Sequence, residues 1–138
     1  MFTTRDRPLP RRHAPAAAGL STASASPDRP TRLEQCSSTA YPGPEPEISV
    51  VVATYERSSV WPELISALEA QTLSPARFEV VVIDDASRDD TWEALQKIAA
   101  RTSLRLQCLR AEVNVGSGAA RTCGLDRCRA PVVAFTDD

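Results

Sequence analysis

Two pairs of adjacent carboxylates stand out in this sequence because each follows closely on an apolar run. Asp84-Asp85 follow the run VVVI, and Asp137-Asp138 follow the run VVAF and one threonine. Neighbouring like charges repel each other, so such pairs indicate either a bound cation or hydrogen bonds to a polar ligand. Carboxylate oxygens are natural ligands of Mg²⁺ and Mn²⁺, which leave further positions to water and substrate phosphates. The alternatives are that the first pair begins a loop and caps a helix, and that the second solubilises a strand end.

Other polar residues follow the same kind of apolar run or lie in a glycine-containing loop. Thr54, Tyr55 and Glu56 come directly after ISVVVA, and the loop NVGSG occupies residues 114–118. The glycines let the backbone approach a ligand. They match a dinucleotide fingerprint only weakly, because the loop follows the third predicted strand and Arg121 stands where that pattern has glycine. Arg121 is therefore either a solvated surface charge or a partner for an anionic ligand.

The elements that would position these residues alternate between strand and helix. Apolar, β-branched runs predict four strands, and helical spacing of apolar residues predicts three helices between them. The predicted strands span 48–54, 78–87, 103–110 and 131–138, and the predicted helices span 60–71, 89–101 and 119–128. Alternation of this kind predicts an α/β fold with a doubly wound, mainly parallel sheet. Because ligands of such sheets bind beyond the carboxyl ends of the strands, the polar strand ends should meet at one crevice.

Helix starts follow from capping residues. Ser58 or Ser59 can cap the first predicted helix, with Pro62 in its first turn, and Asp89 or Asp90 can cap the second.

The first third of the chain has a different composition. Residues 1–47 contain eight of the eleven prolines and six arginines, and their large apolar residues recur with no helical or strand period. Such a stretch buries too little apolar surface to offset the entropy of ordering it. We therefore expect residues 1–47 to form a disordered tail that ends in a stiff linker, PGPEPE, at 42–47, and residues 48–138 to form the folded domain.

Composition excludes several classes of function. The formal net charge is −2, which is not the balance of a nucleic-acid-binding protein. No run of 18 apolar residues is present, so the sequence predicts no transmembrane helix. The four cysteines form no CxxC motif, and the single histidine, His13, leaves too few ligands for a zinc site. Buried free thiols in a reducing compartment are the expected state, with a cytoplasmic location.

Four motifs in order resemble a known family. The stretches ISVVVATYER, FEVVVIDDASRDDT, NVGSGAARTCGLDRC and VVAFTDD together resemble the N-terminal half of family-two glycosyltransferases of the GT-A fold. That family's pattern is a strand ending Thr/Ser-Tyr-Asn, a strand ending Asp-Asp-Gly-Ser, a loop Asn-x-Gly with a following Ala-Arg-Asn, and a strand ending in a DxD-type metal motif. The resemblance covers residues 48–138.

The resemblance implies roles for individual residues. Thr54, Tyr55 and Glu56 would lie at the nucleotide, the first two on its base, and Asp85, with Asp84 beside it, would hydrogen-bond the uracil. Gly116 would belong to the nucleotide-binding loop, and Arg121 would lie near the base or the diphosphate. Asp137 would bind ribose or metal, and Asp138 the metal.

The sequence departs from the family pattern at a few positions. Glu56 stands where Asn is usual and would add a charge to the pocket, Ala86 replaces Gly, and Thr122 replaces Asn. The family also continues beyond its metal motif, and the carboxylate expected to act as general base would lie past residue 138.

The resemblance implies a glycosyltransferase that moves a sugar from a nucleoside-diphosphate-sugar, with a UDP-sugar expected, to a hydroxyl acceptor. Mn²⁺ or Mg²⁺ would be the cofactor, and nucleic acid would not be a partner. Inverting chemistry in cell-envelope polysaccharide or glycolipid synthesis is expected, in the cytoplasm or peripherally at the inner face of the membrane. This chain would hold the donor-binding half. The alternatives are a catalytically inactive nucleotide-binding fragment and a receiver-like signalling domain, which VVVIDDAS also resembles.

Overall fold

The computed structural model describes residues 33–138, which form one five-stranded sheet with helices on both faces. A short 3₁₀ turn at Pro75–Arg77 precedes the third strand. The strands are β1 (Leu33–Ser37), β2 (Ile48–Thr54), β3 (Phe78–Asp84), β4 (Arg105–Ala111) and β5 (Val132–Thr136), and the helices are α1 (Trp61–Glu69), α2 (Thr91–Ala99) and α3 (Ser117–Leu125).

The sheet order is β1-β4-β3-β2-β5, and this order fixes where a ligand can bind. Strands β4, β3, β2 and β5 run parallel, whereas β1 runs antiparallel to β4. The chain proceeds from β2 outward through β3 to β4 and then returns to the other side of β2 as β5. The reversal between β2 and β5 is the topological switch point, where a crevice opens beyond the carboxyl ends of the strands. The predicted doubly wound, mainly parallel α/β fold is confirmed.

Two apolar cores hold the helices on opposite faces of the sheet. Helices α1 and α2 bury Trp61 and Trp92 against one face of the sheet, while α3 packs Ala120 against the other. Every residue of β3 is buried, as its continuous β-branched run requires for a strand covered on both faces. Because side chains alternate along a strand, successive residues of β3 belong to different cores.

Helix α3 approaches the sheet so closely that one position has no room for a side chain. A Cβ atom at Gly124 would lie 2.3 Å from Ile83 Cδ1 and 2.7 Å from Val51 Cγ1. Real Cβ atoms do not make such contacts, because they lie well inside van der Waals separation. The glycine that weakens the helical pattern in the sequence is therefore what permits α3 to pack there.

The prediction of a disordered tail up to residue 47 is wrong for residues 33–47. Strand β1 pairs with the edge of β4, from Leu33 opposite Ala111 to Ser37 opposite Gln107. The proline-rich stretch that follows is held through hydrogen bonds that its carbonyls accept; Arg105 Nη1, for example, donates to the Pro44 carbonyl at 2.8 Å. Hydrogen bonds to main-chain groups order this segment, and an apolar pattern does not report them. The rest of the predicted tail, residues 1–32, lies outside the described residues.

A buried network at the amino ends of the strands ties this segment to β5. The Glu79 side chain is fully buried; its Oε1 accepts from Ser49 Oγ at 2.6 Å and from the Arg129 N–H at 2.7 Å. The Arg129 guanidinium in turn donates to the Pro42 and Pro44 carbonyls at 2.6 and 2.9 Å. The network fixes the connection that leads into β5, at the end of the sheet opposite the crevice.

The helix starts were predicted in part. Val60 is the N-cap residue of α1, and no side chain caps it, so the assignment to Ser58 or Ser59 is wrong; Pro62 lies in the first turn as expected. At α2 the N-cap residue is Asp90, one of the two residues predicted, but its side chain makes no capping bond; the Asp89 carboxylate before it accepts from the Thr91 N–H at 3.0 Å. Helix α3 begins two residues earlier than predicted and ends three earlier. None of the helices within 33–138 is long and apolar enough to cross a membrane.

Candidate functional site

A cavity of about 380 Å³ lies at the switch point between β2 and β5. Six of the residues that the sequence nominated line it, from the carboxyl ends of β2, β3 and β5 and from α3. They are Thr54, Tyr55, Asp85, Arg121, Asp137 and Asp138. The cavity is also lined by Ala53, Arg57 and Ser117.

The carboxylates at the end of β5 are held from two sides of the cavity. The Thr54 hydroxyl, from the end of β2, donates to Asp138 Oδ2, and Arg121 Nη2, from α3, forms an ion pair with Asp137 Oδ1. The Thr54 side chain is buried, whereas the Asp137 side chain is 82 % exposed. One carboxylate is thus positioned by a buried hydroxyl, and the other faces solvent beside a guanidinium.

Asp85 is buried and faces the loop between β4 and α3. Its Oδ1 accepts from the Val115 N–H and its Oδ2 from the Gly116 N–H, both at 2.8 Å. Asn114 Nδ2 returns a hydrogen bond to the Asp85 carbonyl at 3.1 Å. These bonds fix the loop that begins α3, and with it the placement of Ser117 at the cavity.

The same loop requires a glycine at position 116. Its φ of 87° lies in the left-handed region, which glycine adopts at no steric cost. It is the N-cap residue of α3, and its carbonyl accepts the helical hydrogen bond from the Ala120 N–H at 2.9 Å. Gly116 shapes the loop but is not among the residues that line the cavity.

Asp84 does not share the environment of Asp85 and does not line the cavity, so its place at the nucleotide stays a prediction. Its side chain is fully buried; Oδ1 accepts from the Ser87 N–H at 3.0 Å, and Oδ2 lies 3.5 Å from Arg110 Nε. Arg110 also donates to the Ser87 carbonyl at 2.8 Å and stacks over the Trp92 ring. Burial raises the pKa of Asp84, opposed by the Ser87 hydrogen bonds and by Arg110. Asp84 and Asp85 have different surroundings because neighbouring residues of a strand point to opposite faces of the sheet. The Asp84 side chain therefore stabilises the turn after β3 and does not enter the cavity.

Glu56 also lies outside the set that lines the cavity. Its backbone is left-handed, with φ of 54°, and its N–H donates to Ser87 Oγ at 2.9 Å. The pKa of Tyr55 is raised, chiefly by a hydrogen bond from its hydroxyl to the Glu56 carboxylate and less by partial burial. Glu56 thus lies beside the tyrosine at the rim, and its role at the nucleotide stays a prediction.

A larger cavity, of about 800 Å³, lies on the other side of Tyr55. It follows the carboxyl end of β4 and the turn after β3, and Arg88, Arg110 and Asn114 are among its lining residues. Sequence reasoning missed this cavity, because its wall includes β1, which was expected to be disordered. It also missed Arg57, whose position three residues after the strand end carries no motif.

The carboxylates present suit a hard divalent cation. Asp137 and Asp138 offer oxygen ligands at one cavity, and Mg²⁺ or Mn²⁺ requires only one or two protein carboxylates when phosphates and water supply the rest. No group of three or more potential ligands occurs within residues 33–138. The donor set therefore fits a cation shared with a phosphate-bearing ligand and does not form an all-protein metal cage.

Comparison with known proteins places this geometry in a family. The model of the family described as Glycosyl transferase family 2 matches residues 49–138. The undecaprenyl-phosphate 4-deoxy-4-formamido-L-arabinose transferase of Pseudomonas savastanoi pv. phaseolicola is 35 % identical over 97 residues, which are 70 % of this chain and 29 % of that protein. The chain thus spans less than a third of the length of that curated relative.

Solved structures agree with the family match. TarS 1–349 of Staphylococcus aureus, in complex with UDP, superposes with a TM-score of 0.61 at 35 % identity over 66 % of this chain and 27 % of TarS 1–349. The mannosyltransferase PcManGT of Pyrobaculum calidifontis, in complex with GDP-Man and Mn²⁺, gives a TM-score of 0.62 at 28 % identity over 67 % of this chain and 27 % of that chain. The receiver-like alternative is thereby excluded, and the chain belongs to glycosyl transferase family 2, with the GT-A fold.

Proposed function

We propose that this chain forms the donor-binding half of a glycosyltransferase that transfers a sugar from a nucleoside-diphosphate-sugar to a hydroxyl acceptor. The observation that carries the proposal is the cavity at the switch point, where Asp85, Arg121, Asp137 and Asp138 meet at one crevice. Doubly wound sheets bind nucleotides at this place. The structural relatives in complex with UDP and with GDP-Man support the same class of donor.

Each end of the cavity suits a different part of the donor. Tyr55, 41 % exposed at the rim, offers an aromatic face and a hydroxyl to the nucleobase. Arg57 and Arg121 place positive charge beside the region where the diphosphate would lie. Thr54 and the loop held by Asp85 keep these groups in position before the donor arrives, which lowers the entropic cost of binding.

A divalent cation would complete the site through Asp137 and Asp138. When bound, it would offset the negative charge of the diphosphate and so favour its departure. Arg121, paired with Asp137, would then be shared between that carboxylate and the phosphates. Whether the site selects Mg²⁺ or Mn²⁺ follows from a titration with each metal in the experiment below.

We favour UDP as the nucleotide and a membrane-associated acceptor. The TarS structure in complex with UDP supports the first, and the relative named for undecaprenyl-phosphate supports the second. The protein would then work in the cytoplasm or peripherally at the inner face of the membrane. Transfer itself, with its general base, belongs to the whole protein.

Isothermal titration of the chain with UDP and GDP, each with Mn²⁺ or Mg²⁺, tests the proposal. We expect a metal-dependent affinity for UDP that Asp138→Asn weakens at least about tenfold, or about 1.4 kcal/mol. Glu93→Gln is the matched control, because it removes an exposed carboxylate of α2 outside the cavity. No heat from any nucleotide, or equal losses in both variants, would contradict donor binding. Binding without sugar transfer in the whole protein would favour the nucleotide-binding alternative.

A further inference from the structure

Two cysteines are directly opposite each other in the sheet, far along the chain but adjacent in space. Cys36 of β1 pairs with Cys108 of β4 in the antiparallel ladder. Directly paired residues of such a ladder have Cα atoms about 4.5–5.5 Å apart. Disulfides span Cα distances of about 4.4–6.8 Å, so the ladder brings these residues within bonding range.

The side chains of both cysteines lie on the same face of the sheet and contact each other. Cys108 is part of the apolar core beneath α1 and α2, and Cys36 packs against that core. A hydrogen bond between the thiols lowers the pKa of Cys36 and, together with burial, raises that of Cys108 well above its usual value. The nearby Glu34 carboxylate opposes the lowering at Cys36.

The two thiols also differ in accessibility. Cys36 is only half-buried on a five-residue edge strand, whereas the Cys108 side chain is fully buried. Thiolate character and access together decide which cysteine reacts first with an external disulfide. Thiolate character and access both favour Cys36 as the attacking thiol. Cys108 would then resolve the mixed disulfide formed on Cys36.

We propose that Cys36 and Cys108 form a thiol–disulfide exchange site that reacts with a low-molecular-weight disulfide and closes into an intramolecular disulfide. The Cys36 thiolate attacks one sulfur of the reagent, breaks its S–S bond and releases one small thiolate. The Cys108 thiol then gives up its proton, and its sulfur displaces the second small thiolate from Cys36. The two protein thiols are oxidised, and the reagent is reduced to two small thiols.

Closure would change how firmly the N-terminal strand is attached. Strand β1 covers the edge of β4, and a bond between residues 36 and 108 closes a long loop of the chain, which restricts the unfolded state. The second step requires Cys108 to become accessible, so it depends on local opening of β1. The reaction therefore reports on this strand directly and is independent of the proposed nucleotide site.

The other two cysteines provide an internal comparison. Cys128 donates to the Gly124 carbonyl at 3.3 Å, and burial raises the pKa of its thiol. Cys123 is buried in α3 on the opposite face of the sheet. Neither has the half-exposed thiol of lowered pKa that Cys36 presents.

Incubation of the folded full chain with oxidised glutathione, followed by intact mass and non-reducing peptide mapping, tests the proposal. We expect the loss of two hydrogens, a peptide that links Cys36 to Cys108, and amide exchange in β1 slowed by about tenfold or more. Cys36→Ser should abolish the link, and Cys128→Ser should leave it intact. A glutathione adduct that persists on Cys36, no reaction at Cys36, or a link through Cys123 or Cys128 would overturn the proposal.

Discussion

Ala86 illustrates how a single residue carries strain at this site. It follows Asp85 in the turn after β3, and its φ of 61° is a left-handed conformation that costs a residue with a Cβ about 1–2 kcal/mol. The family pattern that the sequence resembles has glycine at this position and asparagine where Glu56 stands. Glycine and asparagine both tolerate a left-handed backbone. The family pattern at these two positions is therefore explained by backbone conformation and not only by contact with a ligand.

Ala86→Gly should therefore stabilise the chain by about 0.5–1 kcal/mol, since relief of strain exceeds the added entropy of the unfolded glycine. Chemical denaturation measures the change in the free energy of unfolding. Ala94→Gly, in the middle of α2, is the matched control and should destabilise by about 1 kcal/mol. A loss of stability in Ala86→Gly equal to that of the control would contradict the account.

Asp84 gives a prediction that depends on pH. Burial raises its pKa in the folded state, so its contribution to stability is fully present below about pH 4 and is lost as pH rises through the raised pKa. Urea denaturation of the wild type and of Asp84→Asn over about pH 3–7 isolates this contribution, because the other carboxyls are common to both. The stability of the wild type relative to the variant should fall across that window. Parallel curves, or a relative rise, would contradict the assignment.

At the scale of elements, the fit of α3 against the sheet determines where Arg121 and the site loop lie. The helix begins at the loop that Asp85 holds and packs over β2 and β3 at Gly124. The position of the helix is thus set at both ends, by hydrogen bonds at the crevice and by close packing beneath it.

Gly124→Ala should destabilise the chain by about 1–3 kcal/mol, although alanine is the better helix former, because the added methyl group clashes with Ile83 and Val51. Gly118→Ala is the matched control in the same helix, since no atom lies within 4 Å of the Cβ position there. It should be neutral or mildly stabilising. Thermal or chemical unfolding measures the stability of both variants. Equal changes in the two would contradict the packing argument.

The elements show which features the sequence could predict. Strands β2 to β5 and the three helices follow from apolar periodicity, and the parallel order places Thr54, Asp85 and Asp138 at one crevice. Periodicity could not predict β1, because main-chain bonds to β4 hold it, or the ordered 42–44 segment, because guanidinium contacts to its carbonyls hold it. Nor could the separation of Asp84 from Asp85 be read from an adjacent pair, since the alternation of the strand decides it.

For the molecule as a whole, the two ends of the sheet have different roles. The amino ends carry the buried Glu79 network that fixes β5 and the 42–44 segment, while the carboxyl ends carry the cavity with its five charged residues. This division agrees with the fold of family-two glycosyltransferases and with donor binding at the crevice.

The measurement that tests this claim most directly is the mapping of amide chemical-shift changes when UDP and Mg²⁺ are added to the isotopically labelled chain. The account predicts that the changes concentrate at the carboxyl ends of β2 and β5, the turn after β3 and the start of α3, including Tyr55, Asp85, Ser117 and Arg121. Changes that concentrate around Glu79 and Arg129 at the opposite end of the sheet, or no changes at millimolar nucleotide, would contradict it.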